Sequence, residues 1–519
     1  MSYPPTDEQQ SAIDGFKTGN NLVIEAGAGT GKTSTLRFIA DAAPQSRGLY
    51  LAFNKAIQVE ATHKFQGTRV EAKTAHSLAY NKFGRPNQRK LNLGNRMRAA
   101  DRAKALGLNQ AISASARGAY DSRRIPNHVS VRLVGEAINN FCRSGAREIT
   151  LDMVSIPDQL MLTDGEADDL RNQLLPYAKK YWADIINPDG VLPYTHDFYL
   201  KQWALSDPKL DVDYILFDEA QDSDPLIFSV VQAQTHAQIV AVGDSNQAIY
   251  AWRGAVDAMA NFEGDRFQLT QSFRFGEAIA EEANVWLDLL DASLRIRGSD
   301  KPSSVWESKV AIPNAVLCRT NAGAIGEVMD MQRLGISTAI SGKGKAIEMK
   351  NLAMAAKSLI EEGWTRHPHF DTFRSWEEVQ EYANEDDGAD IAPLVKLVDQ
   401  YTPERLISAI ENCVPEESAR TVVATAHVSK GLEWRHVRIA DDFKVPSKDE
   451  EGNLEVVPPA DLMLSYVSVT RAMRHLDPAG LSWVRDYKRA LALPELGTEW
   501  RRRHLEARNA SRNEMLGAA

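Results

Sequence analysis

The stretch NLVIEAGAGTGKTSTLRFIADAA at residues 21–43 decides how this chain is read. An apolar run, Asn21–Ala26, has the length and content of a buried strand, and Ser34–Ala43 has a helical pattern. Between them lies AGAGTGKT: Ala26, Gly27, Ala28, Gly29, Thr30, Gly31, Lys32 and Thr33. Glycines at these positions let backbone N–H groups close around phosphates at a helix N-terminus. Lys32 then reaches the terminal phosphates, and the Thr33 hydroxyl can ligate Mg²⁺. Ala26 stands where the pattern usually has Gly, and its small side chain still fits. Strand, loop and helix around an intact GKT point to a nucleoside-triphosphate site and not to a structural turn.

A metal-bound phosphate site also needs an acid, and ILFDEAQD at 215–222 supplies one. An apolar strand there ends in Asp218 and Glu219. Asp218 is placed to hold Mg²⁺, directly or through water, and Glu219 to orient and deprotonate an attacking water. Further apolar runs read as buried parallel strands: Leu49–Phe53, Tyr214–Phe217, Gln238–Val242, Ala315–Cys318, Thr421–Thr425 and His436–Ala440. Such strands alternating with helical stretches predict an α/β fold with sheets covered on both faces. Two long stretches of helical periodicity, between Phe83 and Tyr214 and from about Lys350 to Ser418, read as insertions.

The chain has 519 residues, too many for one core, with 43% hydrophobic and 25% charged residues. That balance excludes a disordered or collagen-like chain. Three scattered cysteines, Cys142, Cys318 and Cys413, exclude a disulfide framework and a CxxC zinc site. No apolar run is long enough to span a bilayer, and MSYPPTDEQQ lacks the features of a signal peptide. A soluble, cytoplasmic protein is expected. Sixty basic against seventy acidic residues give a net charge of −10, but the charge is segregated. From Arg85 to Arg147 there are thirteen Lys/Arg against three acids; from Lys350 to Ser418 there are fifteen acids against six bases. The first is the footprint expected of a phosphate-backbone contact. The second is a poor duplex-binding surface, and a regulatory or partner-contacting role is expected of it.

GAGTGKT, DEAQD, VGDSNQAIYAWRG (242–254), LTQSFRF (269–275), TAHVSKGLEW (425–434) and YVSVTRA (466–472) occur in this order. Together they resemble the motif series of UvrD/Rep-type superfamily 1 DNA helicases from Thr6 to about Leu476. LYLAFNKAI (49–57), KTAHSLAY (73–80) and DDFKVP (441–446) are most similar to the helicase core of the F-box DNA helicases. Few residues precede the first motif, so no F-box is expected in this chain, and the ubiquitin-ligase role of that family is not carried over.

The resemblance implies two RecA-like motor domains with parallel sheets, each carrying a mainly helical insertion. The first would comprise 1–85 and 197–275 with a basic insertion at 86–196. The second would comprise 276–350 and 419–519 with an acidic insertion at 351–418. It implies that Gln9 reads the adenine edge, Phe273 stacks on the base and Gln247 senses the γ-phosphate. By the same match, Arg274 and Arg471 reach the transferring phosphoryl group, with Lys32 and Glu219 completing the catalytic set, and Glu433 contacts the nucleotide sugar. Phe53, Asn54, Thr74, His76, Tyr250, Trp252 and His427 match positions that hold a single strand by stacking and phosphate contacts. Trp252 follows Gln247 by five residues, so one short loop could couple nucleotide state to base stacking.

The activity implied is ATP- and Mg²⁺-dependent 3′→5′ movement on single-stranded DNA with duplex unwinding, in repair, recombination or replication. Implied partners are single strands and single/double-strand junctions, with a protein contact through the acidic insertion, no membrane, and a monomeric motor. A translocase that strips proteins from single strands, an RNA-directed motor and a catalytically silent binding module are the alternatives. The intact Lys32, Glu219 and Arg471 speak against the last.

Overall fold

The computed structural model describes residues 4–93, 97–115, 122–250, 258–300, 304–306, 312–384, 391–448, 454–492, 500, 502–503 and 506. The chain divides into two units. Unit 1 takes the N-terminus through Ala26 and then Gly31–Leu269; unit 2 takes Gly27–Thr30 and the chain from Thr270.

Unit 1 contains β1 (Leu22–Ala26), β2 (Gly48–Ala52), β3 (Val70–Thr74), β4 (Ile112–Ala114), β5 (Arg123–Ile125), β6 (Tyr214–Asp218), β7 (Gln238–Gly243) and β8 (Asp265–Leu269). Six of these form one parallel sheet in the order β3-β2-β6-β7-β1-β8, while β4 and β5 pair as a separate antiparallel ribbon. The central strands are apolar on both faces because helices cover both. Leu22, Ile24, Tyr50, Leu216, Val240 and Val242 belong to one buried cluster, and Val23, Leu51, Ile215, Phe217, Ile239 and Ala241 to another. Each residue and its strand neighbour go to opposite sides, as the period of two requires. Complete burial of such side chains contributes roughly 1.5–3 kcal/mol apiece.

The basic stretch is mostly helical, with long helices at Asn127–Arg143 and Asp164–Ile186, and it shares the second cluster with the sheet. Its charge is not all on the surface. Lys90 is buried and donates from Nζ to the carbonyls of Asp184, Ile185 and Asn187 at 3.0–3.1 Å, closing the C-terminal end of Asp164–Ile186. A cation there complements the helix dipole. Arg132 and Arg147 pair with Glu136 and Asp207. Lys90 therefore has to be subtracted from the proposed phosphate footprint; Arg96 and Arg117 lie outside the described residues.

Unit 2 contains β9 (Val305–Trp306), β10 (Ala315–Cys318), β11 (Thr338–Ile340), β12 (Thr421–Thr425), β13 (Trp434–Ile439) and β14 (Ala472–Asp477). They form a second parallel sheet in the order β11-β12-β10-β13-β14-β9. The acidic stretch contributes the helices Lys345–Glu362, Trp376–Tyr382, Ala392–Tyr401 and Pro403–Glu411, whose apolar faces pack with Val316, Cys318 and Val423. Among the described residues, no helix is long and apolar enough to cross a membrane. The α/β class with parallel sheets agrees with the sequence reading, and the seven expected strands correspond to β1, β2, β6, β7, β10, β12 and β13.

Candidate nucleotide and nucleic-acid site

In unit 1, the loops after β1, β6 and β7 leave from one edge of the sheet, the edge at the carboxyl ends of the strands. Since β7 separates β6 from β1, and Glu25 lies opposite Gly243 while Asp218 lies opposite Val242, the three strands end level with one another. Ligands of open parallel sheets bind in this kind of position. β1 leads through the glycine loop into the helix Lys32–Ala42, whose cap Gly31 has φ +82°. β6 delivers Asp218, and β7 delivers Asp244 and, in the following turn, Gln247.

Lys32 Nζ lies 2.8 Å from Glu219 Oε1. Burial opposes the lysine's charge, but the carboxylates of Glu219, Asp218 and Asp244 outweigh it, and its pKa is raised. Asp218 is pushed up to about 6, first by burial and then by the Glu219 charge, against the pull of Lys32 and a hydrogen bond from Tyr50. Glu219 occupies the left-handed region at φ +53°, ψ +41°. A non-glycine residue there is strained, and such strain gathers at functional sites.

Further hydrogen bonds hold these residues in place. Gln221, buried, donates from Nε2 to Glu219 Oε2 at 2.6 Å and accepts at Oε1 from Asp244 N at 3.1 Å. The close approach explains Gly243, where a Cβ would come within 2.1 Å of Gln221 Oε1. Asp244 Oδ2 accepts from Gln247 Nε2 at 2.6 Å, and Glu25 accepts from the Ser245 N–H and hydroxyl at 2.7 and 2.9 Å. Gln9 is buried. Its Oε1 accepts from Thr6 N at 3.0 Å, completing the cap of the helix Asp7–Phe16, and its Nε2 donates to Thr35 Oγ1 at 3.1 Å. The glutamine expected to read adenine is thus tied to the helix that follows the phosphate loop.

Unit 2 holds the two arginines together. Arg471 is 2% exposed and donates to the carbonyls of Val467 and Leu432 at 2.9 and 3.3 Å and to Thr470 Oγ1 at 3.0 Å. Arg274 donates to the Thr470 carbonyl at 3.1 Å and, from Nε, to Glu433 Oε2 at 2.6 Å. Glu433, assigned to the nucleotide sugar, is therefore an anchor for Arg274 here. Phe273 is half exposed, with its N–H on the Gly29 carbonyl at 2.8 Å. Ser272 Oγ donates to the Ala28 carbonyl at 2.9 Å. Gly29, at φ +74°, admits no side chain, since a Cβ would lie 2.6 Å from Arg274 Cβ.

Phe53, Asn54, Thr74 and His76, assigned to DNA, lie on the same sheet edge, shifted to the strands β2 and β3. Phe53, 55% exposed, follows β2, and Asn54 caps the helix Lys55–Lys64 by accepting from Ile57 N at 3.0 Å. Thr74 ends β3 and accepts from Ser77 N at 3.2 Å. His76 is within 3.3 Å of Asp197, whose pKa that hydrogen bond lowers against the effect of burial. Tyr250 is half-buried, and His427, also half-buried, lies after β12 in unit 2. Trp252 lies outside the described residues.

Sequence reasoning passed over Tyr50, Glu25, Gln221, Asp244 and Thr35. All five stood inside quoted stretches, and Gln221 and Asp244, beside Glu219 and Gln247 in sequence, could have been weighed as their partners. Tyr50, Glu25 and Thr35 become visible only through strand register and helix packing.

Comparisons with known proteins give the family. A family model described as the UvrD/REP helicase N-terminal domain matches residues 6–266. F-box DNA helicase protein 1 of Schizosaccharomyces pombe is 29% identical over 91% of this chain and 57% of its own length. F-box DNA helicase 1 of Gallus gallus is also 29% identical, over 91% of this chain and 48% of its own length. A probable DNA helicase of Mycoplasma pneumoniae is 40% identical over 16% of this chain and 17% of its own. The chain belongs to the UvrD/REP helicase family, and it spans about half the length of the two F-box helicases.

Proposed function

We propose that this chain is an ATP-driven DNA motor that moves 3′→5′ along a single strand and separates duplex at single/double-strand junctions. The observation that carries the reading is the Lys32–Glu219 pair beside Asp218, with Gln221 and Asp244 linking it to Gln247. The backbone of residues 27–31 and Lys32 would bind the phosphates, Gln9 and Phe273 the base. Glu219 takes the proton of the attacking water, Gln247 contacts the γ-phosphate, and Arg274 and Arg471 offset the charge that develops on the transferring group. The hydroxyl of Thr33 and the carboxylate of Asp218 are hard oxygen donors of the kind Mg²⁺ takes beside substrate phosphates, so these residues fit that ion. Bound there, it would neutralise the phosphate oxygens.

Phe53, Asn54, Thr74, His76, Tyr250, Trp252 and His427 would hold the strand, the aromatics by stacking and the others at phosphates. The division into two motor domains with a basic insertion (86–196) and an acidic one (351–418) goes with this reading. So do a protein partner at the acidic insertion, a monomeric state and a cytoplasmic site of action on repair, recombination or replication intermediates. A second reading is a translocase that displaces proteins from the strand with little unwinding. The test is the ATPase rate with and without single-stranded DNA. Strong stimulation that Lys32→Ala abolishes is expected, and no stimulation by any nucleic acid would leave only an ATPase. Strand-displacement and protein-displacement assays side by side separate the two activities.

A further inference from the structure

Tyr50 lies at the middle of β2, is fully buried, and has no counterpart among the residues assigned to the site. Its Cα is in register with Leu216 of β6, and its ring packs against Phe65 with centroids 5.2 Å apart. Side chains two residues apart share a sheet face, and a strand rises ~3.3 Å per residue, so Asp218 lies about 6.6 Å further along on the Tyr50 side. A tyrosine laid along the strand spans that distance, and the Tyr50 hydroxyl donates a hydrogen bond to Asp218 Oδ2. The other oxygen, Oδ1, accepts from Glu219 N at 2.9 Å. One donor on each oxygen fixes the plane of the carboxylate and leaves a lone pair free on each.

We propose that Tyr50 is a positioning residue for the metal end of the nucleotide site: its hydroxyl sets the Asp218 carboxylate for Mg²⁺. The inference rests on the proposed ATP-driven function and gives a role to a residue of LYLAFNKAI to which the resemblance assigns none. A second-shell hydrogen bond of this kind typically changes metal affinity 10–100-fold. Phe65 and the neighbouring strands hold the ring whether or not it carries a hydroxyl, so Tyr50→Phe removes the donor and little else.

The experiment is equilibrium binding of a fluorescent ADP analogue, which involves no turnover, titrated with Mg²⁺ and repeated in EDTA. In the wild-type protein Mg²⁺ should tighten binding. In Tyr50→Phe the Mg²⁺ concentration at half effect should rise about tenfold, with affinity in EDTA unchanged. An unchanged Mg²⁺ midpoint beside a lowered melting temperature would overturn the proposal, leaving a structural hydrogen bond. Equal losses with and without Mg²⁺ would overturn it too, as a general distortion of the pocket. A wild-type protein that binds nucleotide but ignores Mg²⁺ would refute the functional reading and this inference together, an outcome distinct from the first two. Should Tyr50→Phe not fold, replacement of Tyr50 by para-aminophenylalanine, which keeps an N–H donor at the same place, should give a Mg²⁺ midpoint within a few-fold of wild type; a tenfold rise there would count against the hydroxyl's role as donor.

Discussion

The helix Lys32–Ala42 in unit 1 and the helix Pro459–Val469 in unit 2 are both eleven residues long, yet they present opposite ends to the assigned nucleotide residues. The first offers its N-terminus, after β1, with backbone N–H groups and Lys32 turned to anions. The second offers its C-terminus: the carbonyl of Val467 holds Arg471, and that of Thr470, just past the helix, holds Arg274. Helix dipoles favour anions at the first kind of end and cations at the second. The strands repeat the contrast. The unit 1 residues follow the ends of β1, β6 and β7, whereas Glu433 and Arg471 immediately precede β13 and β14. Two sheets of like construction thus place their assigned residues at opposite edges, which no count of total charge could reveal.

The largest test of that contrast is Arg471→Ala. Loss of an arginine acting on a transferring phosphoryl group costs about 10³-fold or more in rate, so ATP turnover should collapse while nucleotide affinity stays within a few-fold. Rapid-quench turnover beside equilibrium binding measures both. A fall in affinity equal to the fall in rate would break the comparison by making Arg471 a ground-state contact. Next comes Glu219→Gln on the unit 1 side. Removal of the proton acceptor should lower single-turnover hydrolysis by about 10²–10⁴-fold. ATP binding should persist, since Lys32 loses only a competing partner. An unaltered hydrolysis rate would transfer the water-activating role to another group.

A smaller effect concerns stability. Asp224 caps the helix Pro225–Gln232 by accepting from Leu226 N at 2.9 Å, and burial pushes its pKa up from 3.8 to about 7. Between those values the folded chain holds a proton that the unfolded chain has released, so stability is lost as pH rises through the window. Asp224→Asn keeps the cap and removes the titration. It should stabilise the protein by about 1–3 kcal/mol at pH 8 and leave it unchanged below pH 4, as read by chemical denaturation. Equal curves for both proteins at pH 8 would place Asp224 in a far wetter environment.

How much of this was legible depended on burial. The strands read from sequence are apolar runs such as YILFD and TVVAT, each fully buried. Among those passed over, VEAKT, DRFQL and AMRHLD alternate with charged residues because one face or one edge is wet, while β11, buried throughout, is only three residues long. In the site, sequence supplied the residues whose identity follows from their chemistry, Lys32, Asp218 and Glu219. It could not supply partners that meet through strand register, as Tyr50 meets Asp218, or across the turn after β7, as Glu25 meets Ser245. The Arg274–Glu433 pair was equally hidden, because both residues had been matched to the nucleotide separately.

The bond between Lys32 and Glu219 has a further consequence for the proposed function. The ammonium of Lys32 and the carboxylate of Glu219 satisfy each other. Under the proposed function, a polyphosphate bound to Lys32 would compete with Glu219 for the ammonium and so release the acid. Arming and loading would then be one event, a counter-ion exchange in which cargo and trigger are the same molecule.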